Sequence, residues 1–466
     1  MEATVTAGEL ARAVGGRVVG DPSTAITDVT HDSRTAGPGA LFACIPGSTV
    51  DGHDFASAAV EAGAAALLVG RELPLDVTQV VVGDVRAATG PAAAECHHHP
   101  SRALQVVGVT GTNGKTTTVQ LLGAIFEAAG WPARTIGTLT GVRTTPEGPD
   151  LQRTLAQWRN EGVVSVAMEV SSHALALRRV DGMHFAAAVF TMMGRDHLEF
   201  HATPEAYFAA KARLFQPDLT DHAVVNGDDP HGQLLADAAT IPTTVYRLSD
   251  ASDLTVGPDV TTFRWRDQPV RLSLAGRFNV TNALAAATTA EVLGIAPAVV
   301  AEGLSGAAAV PGRFELVPGP QPFLVFVDYA HTPDAVGIAT STARELAGSG
   351  TVIVVVGAGG DRDPHKRPDM GRAAADGADI VVVTSDNPRG EDPRAIADAV
   401  AAGVGPSAMI ILDRRAAIAA ALDRAGAGDV VLVAGKGHET TQIVGDETVP
   451  FDDRQVVAEL LVERGW

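Results

Sequence analysis

The segment VVGVTGTNGKTTTVQLL runs a β-branched stretch straight into a glycine turn and then into a helix-compatible stretch. That order suits a polyphosphate, because the N–H groups of such a turn and the positive end of the next helix surround an anion. Gly111 and Gly114 let the main chain approach closely, with Thr112 and Asn113 between them. Lys115 offers a point charge to terminal phosphates, and the Thr116 hydroxyl, followed by Thr117, can reach a magnesium ion. The spacing departs from the general Walker pattern, since Val109 stands where its first glycine would be. Kinases, GTPases and ligases all use such a loop, so the remaining residues must decide the reaction.

Other chemically able groups stand at strand ends or on helices. Glu169 closes VVSVAMEV, where a carboxylate can hold a cation or face solvent. Asn279 and Asn282, three apart on an expected helix start, can turn both amides to one ligand or cap the helix. Arg362 and Arg389 can each clamp a carboxylate through two hydrogen bonds, which fits a substrate with a carboxylate at each end; lysine has only one. An ordinary Arg–Asp surface pair is the competing reading of Arg389. Taken alone, His197 reads as a capped loop histidine and Lys211, between alanines, as a solvated helix lysine. Consecutive imidazoles at His97, His98 and His99 point in different directions on an extended chain and cannot share one ion, so a solvated linker is expected there.

These groups need a frame, and from about residue 104 the frame is legible. Short β-branched runs (LQVVGV, VVSVAMEV, FLVFV, TVIVVV, IVVVTS, VVLVAG) end in polar turns, and most lead into Ala-rich helical stretches. This alternation predicts parallel α/β layers with ligands outside the carboxyl ends of the strands. A length of 466 residues predicts about three domains, and a 46% hydrophobic content gives each a core. Polar, proline-containing stretches at residues 95–102 and around VPGRFELVPGPQP mark the breaks, giving domains 1–100, 101–312 and 313–466. A net charge of -20 opposes binding to nucleic acid or anionic lipid. No run of about 20 apolar residues is present, Glu2 follows Met1, and only Cys44 and Cys96 occur; a cytoplasmic protein without disulfides is expected.

The string TGTNGKTTT resembles the Mur ligase signature, and its departure from Walker spacing is typical of that family. The resemblance continues through THDSRTAGPGALFACIPG, DGHDF, MEVSSHAL, GRDHLEFH, YFAAKARLF, AGRFNVTNALAA, VPGRFE, VDYAHTPDA, GDRDPHKRPDMG, DNPRGEDPRAI and GKGHETTQ. It implies an N-terminal Rossmann-like α/β domain for a uridine nucleotide, a central P-loop-type mononucleotide-binding α/β domain and a C-terminal Rossmann-like α/β domain. Within the family the set is most similar to ligases that extend UDP-N-acetylmuramoyl-L-alanyl-D-glutamate by a third amino acid, and DNPR to those using meso-diaminopimelate. ATP and Mg2+ are implied, with a monomer as the working unit.

The resemblance also distributes roles. Thr116, Glu169 and His197 are implied at the metal, and Lys211 as the lysine that carries a carbamate. For ATP it implies Gly111, Thr112, Asn113, Gly114, Lys115, Thr116, Thr117, Asn279, Asn282, Arg313 and Asp328. Ser33, Ser48 and Thr49 fit the uridine end, and Thr144, Thr145, Ser171 and Arg179 the muramoyl peptide. Arg362, Asp386, Asn387, Pro388, Arg389, Gly435 and Glu439 fit the incoming amino acid. Two departures stand out: Met192 replaces the usual asparagine near the metal, removing a donor and an acceptor, and Leu177 stands where some relatives carry glutamine. Three alternatives stay open: the same reaction with L-lysine or another amino acid, a folylpolyglutamate-type ligase, and a catalytically silent nucleotide-binding homologue. The separate N-terminal module argues against the second.

Overall fold

The computed structural model describes residues 4–47, 49–141 and 143–466. Three α/β layers follow one another along the chain, each built on its own sheet. The first sheet sets Asp28–Thr30, Ala40–Ala43, Ala66–Val69 and Thr78–Val81 side by side in parallel and closes with antiparallel Arg17–Val19.

The middle sheet is fully parallel, in the order Thr243–Tyr246, Ala223–Asn226, Ala187–Phe190, Gln105–Thr110, Ser165–Glu169, Ala133–Ile136. Its strands are apolar on both faces because each face is covered. Helix Lys115–Ala128 packs on one with Val119, Leu122 and Phe126, while Leu151, Leu155 and Phe215 cover the other. A three-stranded antiparallel flap, Ser252–Val256, Thr261–Trp265 and Gln268–Leu272, buries Trp265 and Leu272 in that core.

The last sheet places Leu324–Asp328, Val430–Ala434, Val352–Val356, Ile380–Val383 and Met409–Ile410 in parallel, with antiparallel Glu315–Leu316 at one edge. Every β-branched run singled out above is one of these parallel strands, and the polar motifs follow their carboxyl ends, as α/β geometry requires. A separate hairpin, Thr441–Val444 with Glu447–Pro450, projects beyond the last strand.

The stretch at residues 95–102 differs from the solvated linker expected. Glu95 and Cys96 complete helix Val85–Cys96, and Pro100–Arg102 forms a 3-10 turn. His98 and His99 reverse the chain in the left-handed region, with φ of 57° and 48°. The imidazoles do diverge: His97 Nε2 lies 3.2 Å from Asp28 Oδ1, and His99 Nε2 2.9 Å from Glu95 Oε2. Asp28 also takes two 3.1 Å hydrogen bonds from Arg153 Nε, so first and middle layers are clasped there. Both cysteines are buried and neither forms a disulfide. Among the described residues no helix is long and apolar enough to cross a membrane.

Candidate active site

The carboxyl end of strand Gln105–Thr110 opens into the glycine turn, and helix Lys115–Ala128 starts directly behind it. Gly111 (φ 147°) and Gly114 (φ 86°) hold conformations that side chains rarely adopt. A Cβ at Gly111 would fall 1.9 Å from Thr191 Oγ1, and one at Gly114 2.4 Å from Asn282 Oδ1. The turn is thus pressed against its neighbours and lines a cleft of about 410 Å³. Thr112, Asn113, Lys115, Thr116, Thr117, Glu169, His197, Asn282, Arg313 and Asp328 all line this cleft.

Lys115 Nζ folds back onto the carbonyls of Gly111 and Thr112, both at 2.9 Å. Burial pulls its ammonium below the usual range while Glu169 pulls it upward. Opposite, the Thr116 hydroxyl donates to Glu169 Oε1 at 3.0 Å, and the Thr138 N–H reaches the same oxygen at 2.9 Å. A hydroxyl beside a buried carboxylate at a phosphate turn is a hard-oxygen donor set. Magnesium takes one or two such groups and fills its remaining positions with water and phosphate, so these residues fit the ion. No cluster of three or more His, Cys, Asp or Glu side chains that could cage a metal occurs among the described residues, and magnesium with a nucleotide does not need one.

Arg313, from the turn before the last sheet, crosses to the middle layer and donates to Thr116 Oγ1 at 2.9 Å. Its guanidinium lies 4.4 Å from the Tyr329 ring centroid, and its Nε is buried without an acceptor, a donor awaiting an anion. Asp328 is tied to the N–H groups of Phe314 (2.6 Å) and Ala330 (2.8 Å); burial pushes its carboxyl up and Arg313 pulls it back. Asn282 faces the cleft, whereas Asn279 stands behind it, donating to the Ala275 carbonyl at 2.8 Å and accepting from Asn282 Nδ2 at 3.3 Å. The two amides form a relay, so they do not face one ligand together.

Lys211 is 1% exposed and is no solvated helix lysine. Its Nζ donates to the Gly111 carbonyl at 2.8 Å and lies 4.3 Å from the Tyr207 ring centroid. Burial, with the Lys115 charge, holds it well below the normal lysine range. His197 begins helix Leu198–His201 in the left-handed conformation (φ 55°), its ring 4.6 Å from that of His173. Burial lowers its basicity, and Asp196 works against that. Met192 occupies the cleft wall with Sδ 4.0 Å from Asn113 Nδ2, and its carbonyl accepts from Thr112 N at 2.8 Å.

On the side facing the first layer, Thr145 Oγ1 donates to the Glu169 carbonyl at 2.9 Å and accepts from Ser171 N at 3.1 Å. Ser171 caps helix Ser172–Ala176, and Thr144 Oγ1 is 3.2 Å from Thr138 Oγ1. Arg179 pairs with Glu147 at 2.8 Å and donates to the Thr145 carbonyl at 3.3 Å. Ser33 and Thr49 lie apart from this group, on turns of the first layer; Ser48 lies outside the described residues.

The DNPR turn follows strand Ile380–Val383. Arg389 takes a left-handed backbone (φ 51°), held by its N–H on the Ile443 carbonyl (3.1 Å) and by Gly445 N on its own carbonyl (2.8 Å). Arg389 Nη1 donates to the Gly360 carbonyl at 2.7 Å. A Cβ built on Gly359 would meet Arg389 Nη1 at 3.0 Å and Arg362 Cγ at 3.9 Å, so the two arginines flank one turn. Pro388 is buried, and Gly435 (φ 119°) brings its backbone against Asp386, whose Oδ2 is 3.4 Å from a Cβ built there. Beneath this, Arg414 and Asp453, both fully buried, pair at 2.6 Å, and Arg414 braces the Ser385 and Ala434 carbonyls.

The cleft at the phosphate turn and the arginine-flanked pocket therefore stand at carboxyl ends of the middle and last sheets. Residues 109–290 match the family description Mur ligase middle domain, residues 312–437 Mur ligase, glutamate ligase domain, and residues 25–106 Mur ligase family, catalytic domain. The chain belongs to the Mur ligase family. It is similar to the UDP-N-acetylmuramoyl-L-alanyl-D-glutamate--2,6-diaminopimelate ligase of Geobacillus thermodenitrificans strain NG80-2, at 44% identity over 94% of this chain and 95% of the relative. The protein of the same name from Syntrophomonas wolfei is also 44% identical, over 94% of each. A solved structure of a ligase with that name superposes with a TM-score of 0.70 at 32% identity, covering 100% of both chains.

Several residues of this Mur ligase's cleft and pocket escaped the sequence reading. Asp196 faces Lys366 across the junction of middle and last layers at 3.2 Å, with His331 at 3.7 Å. Burial raises the Asp196 carboxyl, but His331, Lys366 and His197 together hold it well below the usual range. Lys436, fully buried, sits among Asp386, Asn387 and Glu439. A signal for it existed: it directly follows the apolar strand Val430–Ala434 and Gly435, where a charged side chain has no solvated route. Asp196 and Lys366 gave no such signal, because their partnership spans two layers.

Proposed function

We propose that this Mur ligase adds meso-2,6-diaminopimelate to UDP-N-acetylmuramoyl-L-alanyl-D-glutamate, consuming ATP and releasing ADP and phosphate. The observation that carries the reading is that Arg362 and Arg389 flank the Gly359 turn, beside Asp386, Asn387 and Glu439. Two guanidiniums suit two carboxylates, and the carboxylates suit a distal ammonium. Residues 1–100 would take the uridine end with Ser33, Ser48 and Thr49, residues 101–312 the ATP phosphates, and residues 313–466 the amino acid.

Making an amide from a carboxylate requires a better leaving group than hydroxide, and phosphoryl transfer from ATP creates one as an acyl phosphate. An amine then displaces phosphate through a tetrahedral intermediate. Charge gathers in both steps, and Lys115 and Arg313 are preplaced to meet it. Bound magnesium would add further positive charge at the phosphates, held by Thr116 and Glu169 with His197 nearby. Asn282, Arg313 and Asp328 orient the nucleotide, Asn279 steadies Asn282, and Thr144, Thr145, Ser171 and Arg179 receive the muramoyl peptide. Burial makes the Lys211 amine easier to deprotonate, and once it has given up its proton its lone pair can add carbon dioxide, giving a carbamate and a second proton. The carbamate would place an anion behind the phosphate turn, where bound magnesium would offset its charge. The cleft is built from one chain's residues, so a monomer suffices, and the reaction belongs in the cytoplasm where ATP is supplied.

The test is ADP release by the purified chain with the nucleotide dipeptide and a panel of amines. The expected result is release dependent on meso-diaminopimelate, with L-lysine far weaker. Turnover with lysine alone would transfer the assignment to the lysine reaction, and no amine-dependent release would leave a nucleotide-binding homologue.

A further inference from the structure

Lys436 is completely buried, and all three protons of its ammonium are committed. They go to Asn387 Oδ1 at 3.2 Å, Glu439 Oε2 at 3.1 Å and the Thr441 carbonyl at 2.6 Å. None is left for a substrate. Its partners are the residues that the reading above assigns to the amine side of the amino-acid site. Asn387 Oδ1 also accepts from Ile443 N at 3.0 Å, which fixes the amide so that Nδ2 donates to Glu439 Oε2 at 2.8 Å. Both bonds to Glu439 fall on Oε2, and among the described residues no hydrogen bond reaches Oε1. Asp386 stands 3.8 Å away and carries the one buried carboxylate oxygen among the described residues that lacks a hydrogen-bond partner.

We propose that Lys436 is a positioning residue of the amine site: its buried ammonium locks Asn387 and Glu439 so that Glu439 Oε1 remains open to the distal ammonium of the incoming amino acid. The inference rests on the ligase reading above. Charge sets its logic. Lys436 lies between the Asp386 and Glu439 carboxylates and offsets part of their negative charge, leaving the remainder for a single ammonium. Without Lys436 the two carboxylates repel each other, and Asn387 loses one of the two donors that orient it. The Thr441 carbonyl extends the same lock to the hairpin that holds the Arg389 backbone, so one buried cation aligns both ends of the pocket.

The experiment is steady-state ADP release by the full chain with each substrate varied, for Lys436→Gln, Glu439→Gln and the double variant. Lys436→Gln should raise KM for the amino acid about 10- to 100-fold, leave kcat within about threefold, and leave KM for ATP and the nucleotide dipeptide within about twofold. Because Lys436 acts in part through Glu439, the double variant should lose less than the product of the two single losses. An unchanged amino-acid KM, a parallel rise in all three KM values, or a double variant showing the full product would each overturn the proposal. Should Lys436→Gln fail to fold, the double variant removes both charges of the pair and is compared with Glu439→Gln: a further rise confined to the amino-acid KM supports the lock, and an equal amino-acid KM or a parallel rise in all three KM values refutes it. The wild-type amine panel separates the two layers of inference. If an amine other than diaminopimelate is used, the substrate assignment falls and Lys436 is tested with that amine; if none is used, both fall.

Discussion

Lys211 and Lys436 are both buried lysines, and their surroundings are opposite. Behind the phosphate turn Lys211 meets the Gly111 carbonyl and the Tyr207 ring, and burial with the Lys115 charge holds its ammonium well below the usual range against the pull of Asp196. In the amino-acid pocket Lys436 is ringed by a carboxylate, an amide oxygen and a carbonyl. Burial alone therefore does not decide what a lysine does. A buried amine with few acceptors loses its proton more easily than a solvated one; one whose three protons are all taken by acceptors is a fixed point around which others are arranged.

The same contrast extends to the cations around each. Lys115 rests on carbonyls and Arg313 on a hydroxyl, acceptors that a phosphate would displace, whereas Arg414 is locked to Asp453. Removing a cation that waits for substrate should cost catalysis; removing one that is already paired should cost geometry or stability, about 3–5 kcal/mol when a buried pair is broken.

The largest effect expected is for Lys115→Ala. Turnover should fall by about 10³-fold or more, read as ADP release at saturating substrates, because the transferred phosphoryl loses its nearest cation. A loss under about tenfold would place Lys115 with the structural cations and break the contrast. Next is Lys211→Ala, with activity falling about 10- to 100-fold and partly recovering on addition of a short-chain carboxylic acid, which can replace the carbamate. Full activity without the acid would show that the neutral amine has no such role.

Arg389→Ala should act on the other region alone, raising KM for the diamino acid about tenfold with kcat little changed and narrowing the preference over L-lysine. An unaltered amino-acid preference would contradict the two-carboxylate argument. The smallest effect is expected of Met192→Asn. Its side chain meets Asn113 only through a 4.0 Å sulfur contact, so the metal dependence of turnover should shift about two- to threefold. A rise of about 100-fold would mean that Met192 limits the natural enzyme.

Most of the frame was readable in the chain. The β-branched runs became parallel strands, and the motifs fell at their carboxyl ends, because a strand covered on both faces must be continuously apolar and a ligand crevice must lie beyond it. The phosphate turn was legible for a similar local reason: Gly111 and Gly114 hold backbone conformations that only glycine adopts freely.

What the linear order could not show is which side chains share a partner. Asn279 and Asn282 looked equivalent, yet only Asn282 faces the cleft, since the helix turns Asn279 toward the Ala275 carbonyl. Lys211 resembled a surface lysine because its burial comes from Tyr207 and the phosphate turn, 100 residues away along the chain. Residue types and strand order are set by local backbone and solvation preferences, which the sequence carries directly. The ionisation of Lys211, the saturation of Lys436 and the pairing of Asp196 with Lys366 depend on distance and dielectric across separate layers, and those exist only once the chain has folded.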